Sequence, residues 1–215
     1  MITIFFLSQW PTTNRQGVNW EVREIKIPLY FKALQFFSRH YEMKHYTHQI
    51  LQNEQDDLEK IKKLHTWIDL YIHTTPKGFD IIDDHPLHIL IRRYGTGDQM
   101  ADLFSLLCTY AGLKAFYKDF KVDQGACNLA FVQYQETWYA FDFFHGIEFM
   151  NDQMWATLQD IQNNHFILKN SHKNKTTLSQ DDYYALLKNF NPNHSFSTRN
   201  LQQMPWPRLK LFLGL

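Results

Sequence analysis

Thiols, imidazoles and carboxylates are the groups through which this chain could do covalent or metal chemistry. It has 2 cysteines, Cys108 and Cys127, and 11 histidines. A nucleophilic Cys127 would need a base, and His145, just beyond Asp142, is the nearest candidate in sequence. His45-x-x-His48 and His85-x-x-His88 have the i, i+3 spacing of one helix face, with His40 close to the first pair. Zinc needs three or four converging ligands, and no cysteine or carboxylate cluster completes either pair. No metal and no cofactor are therefore expected. Two cysteines also exclude a multi-disulfide framework and a zinc ribbon, and they fit a reducing compartment in which buried thiols act as small hydrophobes.

The element that must position these groups runs from Arg92 to Ala115. Gly95-Thr96-Gly97 opens it, Asp98 can cap its N-terminus, and Gly112 can end it at the C′ position. Between these marks Met100, Ala101, Leu103, Phe104, Leu106, Leu107, Cys108, Tyr110 and Ala111 are apolar on nearly every face, so other elements must wrap this helix. Upstream, residues 2–7 and 20–27 read as strands joined by a polar loop. Tyr30, Leu34, Phe37 and Tyr41 then fall at helical spacing to about residue 43. A second amphipathic helix follows at about 56–73, carrying Leu58, Ile61, Leu64, Ile68 and Tyr71. A short helical turn at 87–92 leads into the central helix. Downstream the period becomes two, with strands at 113–118, 127–134, 138–143 and 146–150, the middle pair joined by a hairpin around Gln135-Glu136. Thr157-x-x-Asp160 and Ser179-x-x-Asp182 read as capping boxes of two short helices. An apolar tail spans 208–215. The order defines an α+β class, with a central buried helix on an antiparallel sheet and flanking helices.

The 215 residues are enough for one domain with its own core. That domain is expected to have a central part at about 56–163, N-terminal strands and helix at 1–50, and a C-terminal helix and tail at 164–215. Lys+Arg and Asp+Glu are both 22, so overall charge steers the chain toward neither nucleic acid nor an anionic membrane. The basic segment 169–175 is short, without interleaved aromatics, and reads as a solvated loop. The apolar run at 2–7 is too short for a signal peptide or a membrane span, so a cytoplasmic location is expected.

Gly95-x-x-Asp98-x-x-Ala101, with Gly112 closing the helix and antiparallel strands after it, resembles the transglutaminase-like superfamily of papain-related cysteine hydrolases and transferases. The resemblance covers roughly residues 56 to 163. It includes Trp67, the Arg93-Tyr94-Gly95 approach, Leu103, the Trp138-x-x-x-Asp142 strand and the Ala156-Thr157-Leu158 helix start. It implies a cysteine at the helix N-terminus, where the dipole and free N–H groups stabilise thiolate and oxyanion. It also implies a histidine base on a following strand and an orienting aspartate on the next. In this chain those positions fall on Gly97, Leu129 and Asp142. Gly97 has no side chain and Leu129 accepts no proton; a slip of one places Asn128 there, which also supplies no base.

Cys108 lies about 16 Å down the helix from Gly97, at about 1.5 Å per residue. Cys127 precedes Leu129 by two and shares its face, about 6–7 Å away. Asp142, without an imidazole to orient, is expected to hydrogen-bond backbone or a tyrosine. The implied function is a non-catalytic domain that binds a peptide, a protein partner or a small ligand in a remnant cleft. Candidate lining residues are Tyr94, Gly97, Asp98, Gln99, Leu129, Phe131, Trp138 and Asp142. The alternatives are a cysteine hydrolase or acyltransferase using Cys127 with His145, and an assembly subunit whose aromatic flanks bury against another protein. A homo-oligomer is compatible with the latter; nucleic acid is not an expected partner.

Overall fold

Helical and extended periods alternate along the chain, and the computed structural model describes residues 8–18, 21–80, 83–122, 125–170 and 178–214. The expected strand at 2–7 and most of the basic segment lie outside these. The described part begins with a hairpin, β1 (Pro11–Val18) and β2 (Glu21–Pro28), paired in register from Pro11↔Pro28 to Val18↔Glu21. The expected polar loop is therefore strand. Cross-strand contacts support it: the Thr12 hydroxyl donates to the Ile27 carbonyl at 2.9 Å, and Arg15 reaches Glu24 at 2.9 Å.

Helix α1 (Leu29–Leu51) runs past the expected end near 43 and stops where Gln52 turns left-handed, its N–H bonded to the His48 carbonyl. Its first stripe does not bury: Tyr30, Leu34, Phe37 and Tyr41 are all exposed, whereas Met43, Thr47 and Leu51 in the second half are buried. The apolar pattern thus forms helix without forming core. Helix α2 (Asp57–Tyr71) is capped by the Asp56 carboxylate, which accepts from the Glu59 N–H, and it buries Ile61, Leu64 and Ile68. A short parallel pair, β3 (His73–Thr74) with β4 (Tyr94–Gly95), ties the end of α2 to the approach of the central helix. Between them lies α3 (Pro86–Arg92), ended by Arg93 in the left-handed region; the Arg93 guanidinium sits 4.5 Å over the Trp67 ring.

The central helix, α4 (Gly97–Tyr110), buries nearly every residue. Its N-cap is Thr96, two residues earlier than the expected Asp98. Gln99 Oε1 accepts the Thr96 N–H at 3.1 Å, and Asp98 accepts the Thr96 hydroxyl. At the other end the Leu113 N–H bonds to the Cys108 carbonyl at 2.9 Å and the Gly112 N–H to the Thr109 carbonyl at 3.1 Å. Gly112, at φ +87°, is the left-handed residue this Schellman termination requires.

The main sheet has the order β5 (Ala115–Val122), β6 (Gly125–Tyr134), β7 (Thr137–Phe141), all antiparallel. Gln135 and Glu136, both with positive φ, make the two-residue β6–β7 turn, as type I′ geometry demands. A second sheet follows, with β8 (Ile147–Asn151) between β9 (Met154–Trp155) and β10 (Ile167–Asn170). Reciprocal capping boxes start α5 (Leu158–Gln162) at Thr157 and α6 (Gln180–Leu187) at Ser179. The chain then passes through α7 (Pro192–Ser195) to α8 (Pro205–Leu213).

Strand alternation divides the core in two. Ala130, Val132 and Phe141 pack with α4, α2 and α3 on one side. Cys127, Leu129, Phe131, Trp138 and Ala140 pack on the other with β8, α5 and α6, through Phe149, Ile161, Tyr183 and Leu187. The main sheet is covered on both faces. The fold is α+β, with a central buried helix on an antiparallel sheet and helices around it.

Candidate functional site

Two places could hold chemistry, and the main sheet separates their principal residues. The first is the N-terminus of α4. Gly97 is buried there, and a Cβ built on it would lie 2.6 Å from Asn128 Oδ1 and 3.2 Å from Phe144 Cβ. The residue facing the helix start is thus Asn128, whereas Leu129 belongs to the opposite core with Cys127 and Phe131. Alternation of β6 decides this, because neighbouring residues of a strand point to opposite faces. Asn128 is itself held by Asp119, to which its Nδ2 donates at 2.7 Å. The position that would carry a nucleophile's side chain is filled by an amide and an aromatic ring.

Around that position the helix start is tightly wired. Gln99, buried, donates from Nε2 to Asp84 Oδ1 at 2.6 Å and accepts from Arg92 Nη2 at 2.7 Å. Tyr94 is half-buried, with the exposed Phe79 ring edge-on to it at 5.8 Å and the Arg92 guanidinium 5.3 Å from its centroid. Tyr94, Asp98 and Gln99 therefore share the α4 end of the molecule. Leu129, Phe131 and Trp138 lie in the other core, so the structure does not bring all eight candidate lining residues into one cleft.

The second place is built on the far face of the sheet around Asp142, whose side chain is fully buried. Three donors converge on its Oδ2: His145 Nδ1 at 2.8 Å, the Tyr183 hydroxyl at 2.8 Å and the Cys127 thiol at 3.6 Å. The His145 backbone N–H donates to Oδ1 at 3.0 Å. Asp142 sits just after β7 and His145 in the turn before β8, so the turn wraps the carboxylate. Cys127 comes from β6, and α6 delivers Tyr183 from 41 residues downstream. The expected backbone and tyrosine partners are present, as a buried carboxylate requires, but Asp142 also holds the His145 imidazole, which corrects the expectation that it has none to orient.

The electrostatics follow from that geometry. Burial pushes the Cys127 thiol up, and the adjacent Asp142 charge pushes it further, so the sulfur stays protonated. His145 is moved up, first by its hydrogen bond to Asp142, against the desolvation of its half-buried ring. A nucleophilic cysteine needs the opposite setting, an electropositive and accessible one that favours thiolate. Cys127 has 0% exposure and points its proton at a carboxylate. Cys108 is also wholly buried and its thiol also raised by burial.

Cys127, Asp142 and His145 do bring a sulfur, an oxygen and a nitrogen within 4.8 Å of one another, a donor set that could hold a metal ion. Each group is already engaged in the hydrogen bonds just described. The histidine pairs singled out by spacing serve elsewhere. His85 Nδ1 accepts the Leu87 N–H at the start of α3, and His88 Nδ1 meets Asp83 at 2.6 Å. His45 and His48 lie exposed on α1.

Sequence reasoning offered His145 to Cys127 only as the nearest histidine beyond Asp142, reached Asn128 only through a one-residue slip, gave Asp142 a tyrosine without identifying Tyr183, and missed Phe144. A signal for Tyr183 was present: a tyrosine on the apolar stripe of a capped helix can bring a phenol to a buried acid.

The chain matches no family model and no curated protein. Among solved structures it is similar to a provisionally assigned cysteine protease from Cytophaga hutchinsonii, with a TM-score of 0.40 and 15% identity over 60% of this chain. It is also similar to a provisionally assigned protease from Parabacteroides distasonis, with a TM-score of 0.37 and 14% identity over 61% of this chain. The chain spans 41% and 35% of the lengths of those two proteins.

Proposed function

We propose that this chain is a non-catalytic binding domain of transglutaminase-like, papain-related architecture. The observation that carries the reading is the filled helix start: Gly97 offers no nucleophile, and Asn128 and Phe144 occupy the space where one would stand. Cys127, the one thiol near an acid and an imidazole, is buried and held protonated. The lip outside the filled seat, with Phe79, Tyr94 and Asp98, offers two aromatic faces and a carboxylate to a peptide segment of a partner. Gln99 acts beneath it by holding the N-terminus of α4 to Asp84 and Arg92.

Two measurements test this reading. Iodoacetamide labelling of the folded chain, read by intact mass, is expected to be slow at Cys127 and to follow unfolding. Peptides selected from a displayed random library on the wild-type chain are expected to bind at least tenfold more weakly to Tyr94→Ala, a typical loss for an aromatic anchor. Rapid Cys127 labelling, with amide or ester turnover that Cys127→Ser abolishes, would establish the displaced-nucleophile hydrolase instead. Peptides indifferent to Tyr94→Ala would remove the lip as the binding surface.

A further inference from the structure

The apolar residues that fail to enter either core are not spread evenly. Most collect on the β1–β2 hairpin, the first half of α1, and α8, while Leu70, Tyr71, Phe79, Ile91, Met154 and Ile167 stand elsewhere. Leu34 is 61% exposed, Tyr41 62%, Trp206 74% and Phe212 85%. The Arg208 guanidinium lies 5.0 Å from the centroid of the Phe36 ring, which brings α8 against α1. A soluble monomer rarely carries so much exposed apolar area on neighbouring elements without a partner for it.

Charge identifies the partner. The chain as a whole has net charge 0, but from Pro11 to Tyr41 its charged residues are Arg15, Arg23, Lys26, Lys32 and Arg39 against Glu21 and Glu24, and both acids are paired, with Arg23 and Arg15. From Tyr183 to Leu215 they are Lys188, Arg199, Arg208 and Lys210, with no acid. Arg199 is committed to the buried Asp102 at 3.3 Å. Lys26 and Lys32 meet the hydroxyl and carbonyl of Thr13, neutral groups that leave their charge standing. A second copy would set this cationic surface against itself across a two-fold axis, which opposes association. An anionic surface that also accepts apolar side chains meets both requirements. Aromatics with polar tips and lysines or arginines with long apolar stems are the residues that settle at a lipid headgroup boundary.

We propose that the hairpin, the first half of α1 and α8 together dock this protein on the surface of an anionic bilayer. Leu34, Trp206 and Phe212 enter the acyl boundary while Lys32, Arg208 and Lys210 meet lipid phosphates. No helix among the described residues is long and apolar enough to cross a membrane, so α8 lies in the interface plane. This inference stands apart from the reading of the α4 seat and survives the failure of that reading.

The test is flotation of the full chain with vesicles of phosphatidylcholine alone and of phosphatidylcholine mixed with phosphatidylglycerol. Binding to the mixed vesicles, weakened by salt, with a blue shift of tryptophan emission that Trp206→Ser removes, is the expected result. The double variant Arg208→Gln, Lys210→Gln is expected to partition roughly thirtyfold less, on the order of fivefold for each cation removed. Trp206→Ser with Phe212→Ser tests the apolar half, and far-UV circular dichroism identifies any variant that has unfolded. Absence of binding to the mixed vesicles overturns the proposal. So does equal binding to neutral vesicles, or salt-insensitive self-association of the free chain that Trp206→Ser with Phe212→Ser abolishes, which would assign the surface to a protein interface.

Discussion

Substituting Gly97 by alanine puts a single methyl group where a nucleophile's Cβ would be, and its effect can be worked out from the packing. The Gly97 backbone is not left-handed, so the methyl meets no backbone penalty, and replacing this first helical residue by alanine should stabilise by at most about 0.5–1 kcal/mol, the helix-interior figure. Against that, the methyl meets Asn128 Oδ1 at 2.6 Å, and Phe144 Cβ and Cγ at 3.2 and 3.3 Å. Forcing an extra methyl into a packed site costs about 1–3 kcal/mol. The Asn128 amide is the end of a side chain and can swing aside, though only by leaving Asp119; the Phe144 Cβ is fixed to its backbone. The net expectation is a loss of roughly 0.5–2 kcal/mol, or a fall in Tm of roughly 2–4 °C per kcal/mol for a chain of this size. Urea titration of wild type, Gly97→Ala, Asn128→Ala and the double variant forms a cycle whose coupling term isolates the clash. Asn128→Ala should restore part of the stability lost by Gly97→Ala. A Gly97→Ala variant more stable than wild type, with no coupling to Asn128, would refute the claim that the seat is filled.

Removing the carboxylate at the centre of the second cluster, Asp142→Ala, leaves the Tyr183 hydroxyl and the Cys127 thiol buried without their acceptor. A loss of about 3–5 kcal/mol is expected from the thermal or urea midpoint. The pH dependence has a defined sign. His145 has its folded pKa raised by Asp142, so its stabilisation is fully present below the unfolded value of about 6.5 and is lost as pH rises through the higher folded value. The stability gap between wild type and His145→Ala should therefore be wider near pH 5 than near pH 9. Gly112→Ala meets open space but forces a side chain to φ +87°, and should cost about 1–2 kcal/mol in the urea midpoint without changing the slope.

The sequence revealed most of what periodicity and punctuation control. Gly112, the Thr157 and Ser179 boxes and the Gln135-Glu136 turn fall where local chemistry puts them, because each is decided within a few residues. The central helix declared itself by being apolar on every face. Four features escaped. Residues 11–18 are too polar to read as a strand, yet they pair because β2 supplies partners across the hairpin. The stripe Tyr30–Leu34–Phe37–Tyr41 has the right period for a core helix, but period says only which residues share a face, and among the described residues that face stays exposed. The strand face at the α4 seat turns on a one-residue register, and a one-residue slip exchanges Asn128 for Leu129 completely. The gathering of Cys127, Asp142, His145 and Tyr183 joins two sheets and a distant helix, a long-range closure that no local pattern encodes.

The coverage of the main sheet on both faces has a consequence in time as well as in space. β6 is the middle strand, and from Ala130 to Val132 it is paired on both edges and buried, so its amides there can meet solvent only when both cores open together. The β1–β2 hairpin has one edge partner per strand and exposed residues along most of its length. Deuterium should therefore enter the hairpin within local fraying events and reach Ala130 to Val132 only at the rate of global opening. The central strand is in effect the slow hand of the molecule's clock, and its exchange rate measures the stability of the whole chain.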